Sequence, residues 1–146
     1  MPSAPVVTLD DLLCFDLYAA SRAVTARYRP LLEPLGLTYP QYLVMVVLWE
    51  GEPVTMTELG ARLHLDSGTL SPLVRRLQDD GLVAKRRRAE DERSVKISVT
   101  AEGRALKRRA AKVPVQMGHA MGLDDDGFAA LRTVLRQLGD NVTAAT

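Results

Sequence analysis

One sulfur and a row of hydroxyls pose the first chemical question. Cys14 is the only cysteine among 146 residues, so neither an intrachain disulfide nor a cysteine-based metal cluster can form. On a helix, Cys14, Tyr18, Ser21, Thr25 and Tyr28 share one stripe, which puts a thiol and several hydroxyl donors on the same side. Hydrogen bonds to a charged sulfur favour the thiolate, the form that oxidants attack. Local charge works the other way. Asp10, Asp11 and Asp16 are near in sequence, and a helix expected from about Leu9 to Leu32 leaves Cys14 more than a turn from its positive end. The ordinary fate of a lone cysteine on an apolar helix is a small buried hydrophobe. A reactive sulfur therefore needs help from groups distant in sequence, and the tyrosines are the candidates.

A second chemistry lies between Thr55 and Thr100, where the hydropathy period changes from helix to helix to hairpin. Thr55 and Glu58 form a capping box ahead of Leu59, Ala61 and Leu63. His64 to Gly68 read as a turn, with Asp66 and Ser67 as cap formers and Gly68 free to take unusual angles. In the next helix, expected from about Ser67, Leu70, Leu73, Val74 and Leu77 define a buried stripe and leave Thr69, Ser71, Arg75, Arg76 and Asp79 off it, with Ser67 at the start and Ser67, Thr69, Ser71, Arg75 and Arg76 as the candidate DNA contacts. Short hydroxyls followed by long cations suit a helix whose N-terminal part enters a DNA major groove. Pro72 inside this helix costs stability or bends the axis unless regular helix begins near Thr69. Gly81 ends it, and Leu82 to Arg88 followed by Val95 to Val99 alternate as two strands around a tip at Ala89 to Arg93. The wing offers Arg86, Arg88 and Arg93 to the duplex; Arg93 at the tip is placed to enter a narrow minor groove, and Asp91 could orient it.

The net charge of +1 conceals a strong asymmetry. Arg75 to Arg109 hold twelve basic and six acidic residues, whereas residues 1–74 hold four basic and eight acidic. A basic segment on the wing and the helix after it, doubled in a dimer, favours double-stranded DNA over a merely solvated face once a helix-turn-helix stands beside it. No apolar run reaches the length of a membrane span, and MPSAPVVTLDD lacks the basic region of a signal peptide, so the expectation is a cytoplasmic protein with no membrane partner. His64 and His119 are far apart with no cysteine beside them, so no metal or other cofactor is expected.

The remaining elements must position these groups. The first helix, with Leu12, Leu13, Phe15, Leu17, Ala20 and Val24 apolar, is expected to close at Pro30 and Pro34. Thr38 to Gln41 cap a second helix so apolar from Tyr42 to Glu50 that it should be buried, with Met45 and Trp49 in the core. A long helix from Thr100 to Met121, interrupted or bent near Pro114, and a last one from Asp124 to Val142 complete the chain. The expected fold is mainly α with a small β-hairpin: residues 1–34 as a dimerisation helix carrying the cysteine, 35–100 as a winged helix-turn-helix, and 101–146 as C-terminal dimerisation helices. The terminal helices have no second core in their own chain, which implies an isologous homodimer.

Asp91-Glu92-Arg93-Ser94 in the wing, followed by T-x-x-G at Thr100 to Gly103, resembles the MarR family of transcriptional regulators. LCFDLYAASRAVTARY (Leu13 to Tyr28) and LGLTYPQYLVMVVLWE (Leu35 to Glu50) resemble its peroxide-sensing OhrR branch. The resemblance implies a repressor, not an enzyme, whose cysteine is oxidised by organic hydroperoxides and receives hydrogen bonds from tyrosines; the matching positions are Cys14, Tyr28 and Tyr39. Two-cysteine members carry a resolving cysteine near the C-terminus, but Gln116 to Leu123 contain none, so the resemblance is to the one-cysteine type. A sulfenic acid at Cys14 would then be capped by a low-molecular-weight thiol, attacked by a backbone nitrogen, or overoxidised. Tyr28 follows Cys14 by fourteen residues, roughly 21 Å along a straight helix, so any contact with the sulfur would come from the Tyr28 of a second copy. Tyr18, one turn away, and Tyr39, on another segment, are not excluded by that distance. The expected activity is release from a palindromic operator on oxidation. The alternatives are release by a small aromatic ligand with Cys14 structural, a thiol peroxidase, or a nonspecific architectural DNA protein.

Overall fold

The computed structural model describes residues 4–51, 53–88 and 91–145, with side chains at all of these except 87, 88 and 91–94. Seven helices and three short strands occur among the described residues. The chain divides into two compact units, Met1–Val113 and Pro114–Thr146.

The first unit opens with a 3-10 turn, Leu9–Asp11, whose Asp11 carboxylate accepts from the backbone N–H and hydroxyl of Thr8 at 3.0 and 2.8 Å. Leu12 is extended, with φ −101° and ψ 100°, so helix α1 runs Leu13–Leu32 rather than starting at Leu9. It also passes through Pro30, which forgoes the bond to Ala26 O without ending the helix, and stops two residues later. A second 3-10 turn, Glu33–Leu35, and Gly36 in the left-handed region (φ 68°) lead to α2, Tyr39–Trp49. The Thr38–Gln41 capping box starts α2 as expected: Gln41 Oε1 accepts from Thr38 N–H at 2.9 Å. Gln41 is only 3% exposed, so this bond supplies a partner that water cannot. Val44, Met45, Val47 and Leu48 place α2 at the centre of the core.

Strand β1, Val54–Thr55, is too short for alternation to reveal, and it leads directly into α3, Met56–Leu63. Helix α4 follows at Ser67–Asp79, then β2 (Val83–Arg88), β3 (Asp91–Val99) and α5 (Ala101–Ala110). The expected β2–β3 hairpin is present and is widened by β1 into a three-stranded antiparallel sheet in the order β1-β3-β2. Val83 faces Val99 and Lys85 faces Ile97 across β2 and β3, while Val54 faces Ile97 from the other edge. Ile97 is therefore held from both sides and fully buried. Leu32, Met45, Leu48, Leu59, Leu70, Val74 and Leu77 complete one continuous core.

The long C-terminal helix expected from Thr100 to Met121 is interrupted near Pro114, as the sequence allowed: α5 ends at Ala110 and α6 runs Lys112–Met121. Pro114 explains the break three residues before it, because its ring nitrogen cannot bond the Ala110 carbonyl. In the second unit, α7 (Asp125–Ala144) is capped by Asp124, whose Oδ1 accepts from Gly127 N–H at 2.7 Å. None of its residues is buried: Phe128, Leu131, Val134 and Leu135 form an exposed apolar stripe. Among the described residues no single helix is long and apolar enough to cross a membrane.

Candidate nucleic-acid interface and redox site

Helix α4 is anchored at both ends. Asp66 Oδ1 accepts from Thr69 N–H at 2.7 Å, and that bond holds the Asp66 carboxyl below its usual range. The sharp turn before it is made by His64, at φ 56°, and not by Gly68, which is an ordinary helical residue. A side chain at Gly60 would approach Leu65 O within 2.8 Å, so glycine there is what lets the turn sit against α3. Leu70, Val74 and Leu77 are buried and Leu73 half-buried, as their spacing predicted. Ser67, Thr69, Arg75 and Arg76 are exposed, and Ser71 is half-buried. Ser67, Ser71 and Arg75 recur every four residues along one flank of the buried stripe, while Thr69 and Arg76, two turns apart, lie along its other flank. The helix begins at Ser67, so Pro72 forgoes one bond, to the carbonyl of the exposed residue Gly68.

At the far end, Gly81 N–H donates to Gln78 O and Leu82 N–H to Leu77 O, both at 3.0 Å, with Gly81 at φ 78°. Strands β2 and β3 project from this corner. Arg86 is exposed and faces Lys96 in the register, concentrating positive charge on the wing. The backbones of Arg88 and Asp91 pair beside an irregularity in β2; the side chains of Arg88, Asp91 and Arg93 lie outside the described residues, as does the expected Asp91–Arg93 contact.

The T-x-x-G motif proves to be the clasp at the wing's base. Thr100 Oγ1 donates to Gly81 O at 2.7 Å and accepts from Gly103 N–H at 3.1 Å, while Thr100 N–H donates to Leu82 O. Glycine is required because a Cβ at Gly103 would lie 2.2 Å from Leu82 O. Gly103 O in turn accepts from Trp49 Nε1 at 2.9 Å, and Lys107 Nζ donates to Trp49 O at 3.1 Å. Trp49 read from sequence as a core residue only. It is half-buried and joins α2 to α5; the unpaired indole N–H of a tryptophan at the end of a buried helix was the available signal.

Cys14 is the second residue of α1 and exposed, not buried more than a turn inside a longer helix. It therefore belongs to the first turn, where backbone N–H groups lack helical partners and the aligned dipoles favour negative charge. Asp11 is committed to Thr8, which holds its carboxyl below the ordinary range. The hydroxyl stripe is partly spent as well. Tyr18 accepts from Arg22 Nη1 at 3.1 Å under a guanidinium 5.5 Å from its ring, so its hydroxyl lies toward the next turn, not on Cys14. Thr25 Oγ1 donates to Ser21 O. Among the described residues nothing hydrogen-bonds to the Cys14 sulfur.

Tyr28 and Tyr39, by contrast, come together. Their rings stack at 4.3 Å and 25°, Tyr42 lies 5.8 Å from Tyr28, and Tyr42 meets Trp49 edge-on at 6.2 Å. Burial, helped by the neighbouring Tyr39 and Tyr42, pushes the Tyr28 phenol up to about 12, and burial raises Tyr39 too. Both are protonated donors at neutral pH. Because α1 is continuous from Cys14 to Tyr28, the sulfur and this pair stand roughly 21 Å apart along the axis within one chain.

A capped recognition helix, a basic wing and the clasp between them make the molecule a winged-helix DNA-binding transcriptional regulator. Residues 26–110 match the family model for the transcriptional regulator SarA/Rot. The chain is 49% identical over 115 residues to the organic hydroperoxide resistance transcriptional regulator of Bacillus subtilis, covering 79% of this chain and 76% of that one. It is 45% identical over 137 residues to the regulator TtmR of Methylorubrum extorquens, covering 94% and 70%. Among solved structures, AbfR of Staphylococcus epidermidis matches in its reduced, DNA-bound form at TM-score 0.77 and 30% identity, covering 92% of this chain and 94% of that one. Its overoxidised form, also bound to DNA, matches at 0.72 and 31%, covering 90% and 93%. The chain belongs to the MarR family, in the branch of the organic hydroperoxide resistance regulators with a single cysteine; its relatives are regulators and not enzymes.

Proposed function

We propose that this protein is a cytoplasmic, redox-sensing repressor that binds a palindromic operator as a homodimer and is released when organic hydroperoxides oxidise Cys14. The observation that carries the reading is the separation on α1: an exposed sulfur among the exposed Leu12, Leu13, Phe15 and Leu17 begins the helix, and a stacked pair of phenol donors lies near its other end. Two antiparallel copies of such a helix bring each sulfur to the other's Tyr28 and Tyr39, and cover apolar surface that water would otherwise meet. The exposed stripe of α7 supports the same two-fold partner.

In this mechanism the Cys14 thiolate attacks the terminal oxygen of the hydroperoxide, the O–O bond breaks, and the products are a sulfenic acid and an alkoxide that takes up a proton. The phenols of Tyr28 and Tyr39 stabilise the attacking sulfur as donors. A small cellular thiol then condenses with the sulfenic acid to give a mixed disulfide and water. That AbfR was solved on DNA in its overoxidised form supports a bulky adduct, rather than added oxygens alone, as the releasing species. The adduct parts the paired α1 helices, and the two α4 helices lose the one-turn spacing that a palindrome demands. DNA contacts are assigned to Ser67, Thr69, Ser71, Arg75 and Arg76 on α4, and to Arg86, Arg88, Arg93 and the orienting Asp91 on the wing.

The test is operator binding by fluorescence anisotropy before and after cumene hydroperoxide with a thiol present. Wild type should lose affinity and Cys14→Ser should bind but ignore the oxidant. An equal response in both would favour release by another signal, such as a small aromatic ligand, and end the redox reading.

A further inference from the structure

We propose that Trp49 is a positioning residue that carries the state of the Tyr28–Tyr39 pair to the DNA-reading head. The inference rests on the redox reading above and adds to it the route by which the protomer is coupled. Four aromatic rings make an unbroken series through the first unit: Tyr39 on Tyr28 at 4.3 Å, Tyr28 beside Tyr42 at 5.8 Å, and Tyr42 edge-on to Trp49 at 6.2 Å. Three of the four belong to α2, whose interior face is locked in the core, so a shift at its first residue is passed along the helix axis rather than absorbed by side-chain rotation.

At its other end α2 is gripped twice by α5: Trp49 Nε1 donates to Gly103 O at 2.9 Å, and Trp49 O accepts from Lys107 Nζ at 3.1 Å. Gly103 cannot move independently, since its Cα is pressed on Leu82 O so closely that a Cβ there would sit at 2.2 Å. The same turn is tied through Thr100 to Gly81 O, where α4 ends and the wing begins. The indole bond thus ties the aromatic series directly to the Gly103 turn, the corner from which α4 and the wing both project. Made, it holds that corner to α2; broken, it lets the reading head rotate. The decisive quantity is how much of the oxidation response disappears with the bond.

Trp49→Phe keeps an aromatic ring against Tyr42 and removes the N–H donor to Gly103 O together with part of the half-buried indole. In the full-length dimer, reduced Trp49→Phe should bind operator within about threefold of wild type, while the ratio of oxidised to reduced Kd falls about fivefold, the factor that one neutral hydrogen bond of about 1 kcal/mol represents. Trp49 is also the only tryptophan, so its emission reports the bond directly. Emission of wild type should change with the same hydroperoxide dose that releases DNA, and emission of Cys14→Ser should not. Full release with unchanged emission, or an unchanged Kd ratio in a folded Trp49→Phe protein, overturns the proposal while leaving the redox reading intact. Absence of any hydroperoxide effect on wild-type binding overturns both.

Discussion

Replacing Gly103 by alanine should be among the most damaging single-methyl changes in this chain, and the structure says why. The new Cβ would lie 2.2 Å from Leu82 O and 2.6 Å from Val99 Cγ2, and the first of these is backbone fixed by the Thr100 N–H bond. Relief requires α5 to back away from the wing. Overpacking of this kind costs about 1–3 kcal/mol. Displacing Thr100 weakens the α5 cap, typically about 1 kcal/mol, and losing the Trp49 bond costs about another 1 kcal/mol. The helix propensity of alanine returns roughly 0.5–1 kcal/mol. The net loss is about 2–4 kcal/mol, which for a chain of this length is roughly 5–15 °C in Tm. Gly68→Ala is the matched control: its Cβ would meet only Asp66 Oδ1 at 3.5 Å, an ordinary contact, so it should be neutral or raise stability. Urea and thermal denaturation at fixed dimer concentration measure both. A Gly103→Ala protein melting within a degree of wild type would refute the clasp.

Four further outcomes follow from the site. Asp66 has a folded value below its ordinary 3.8, so its cap on α4 is fully effective above that pH and fades as pH falls through the lower folded value; the stability gap between wild type and Asp66→Ala should close on acidification, and a gap widening in acid would reverse the sign argued here. Arg76→Ala, if the guanidinium meets phosphate, should weaken all DNA sequences alike and reduce the log–log salt slope by about 1, whereas loss of preference at one base pair would place it on a base edge. Tyr28→Phe should preserve the ring stack and operator binding but slow sulfenic acid formation about tenfold, the worth of one hydrogen bond to a charged group at about 1.5 kcal/mol. Because the Tyr28 phenol is pushed up to about 12, the wild-type rate should show no inflection from it between roughly pH 7 and 9, the interval below its titration.

Much of the fold was legible because it rests on local rules. The capping boxes at Thr38 and Thr55, the stripe of Leu70, Val74 and Leu77, and the left-handed Gly81 are decided by residues within a turn of one another, and each appears as its spacing predicted. The misreadings came where a short-range signal competed with packing. Pro30 did not end α1, because one missing bond is cheaper than unseating Leu31 and Leu32, which pack on the core. Leu12 broke the N-terminal helix that its apolar neighbours suggested, since the Thr8–Asp11 box closes a separate turn and delivers Cys14 to a helix start.

The candidate site divides along the same line. Sequence alone determined the elements: which helix carries hydroxyls and then arginines, which strands carry the positive charge, and that a lone cysteine and a tyrosine fourteen residues on cannot meet within one straight helix. Only tertiary structure decided the pairings: that Tyr28 stacks on Tyr39, that Tyr18 turns to Arg22, and that Trp49 reaches Gly103 across 54 positions of chain. Periodicity reports which face of an element is apolar, but partners distant in sequence are chosen by how whole elements fill the core, and that choice exists only once the chain has closed on itself.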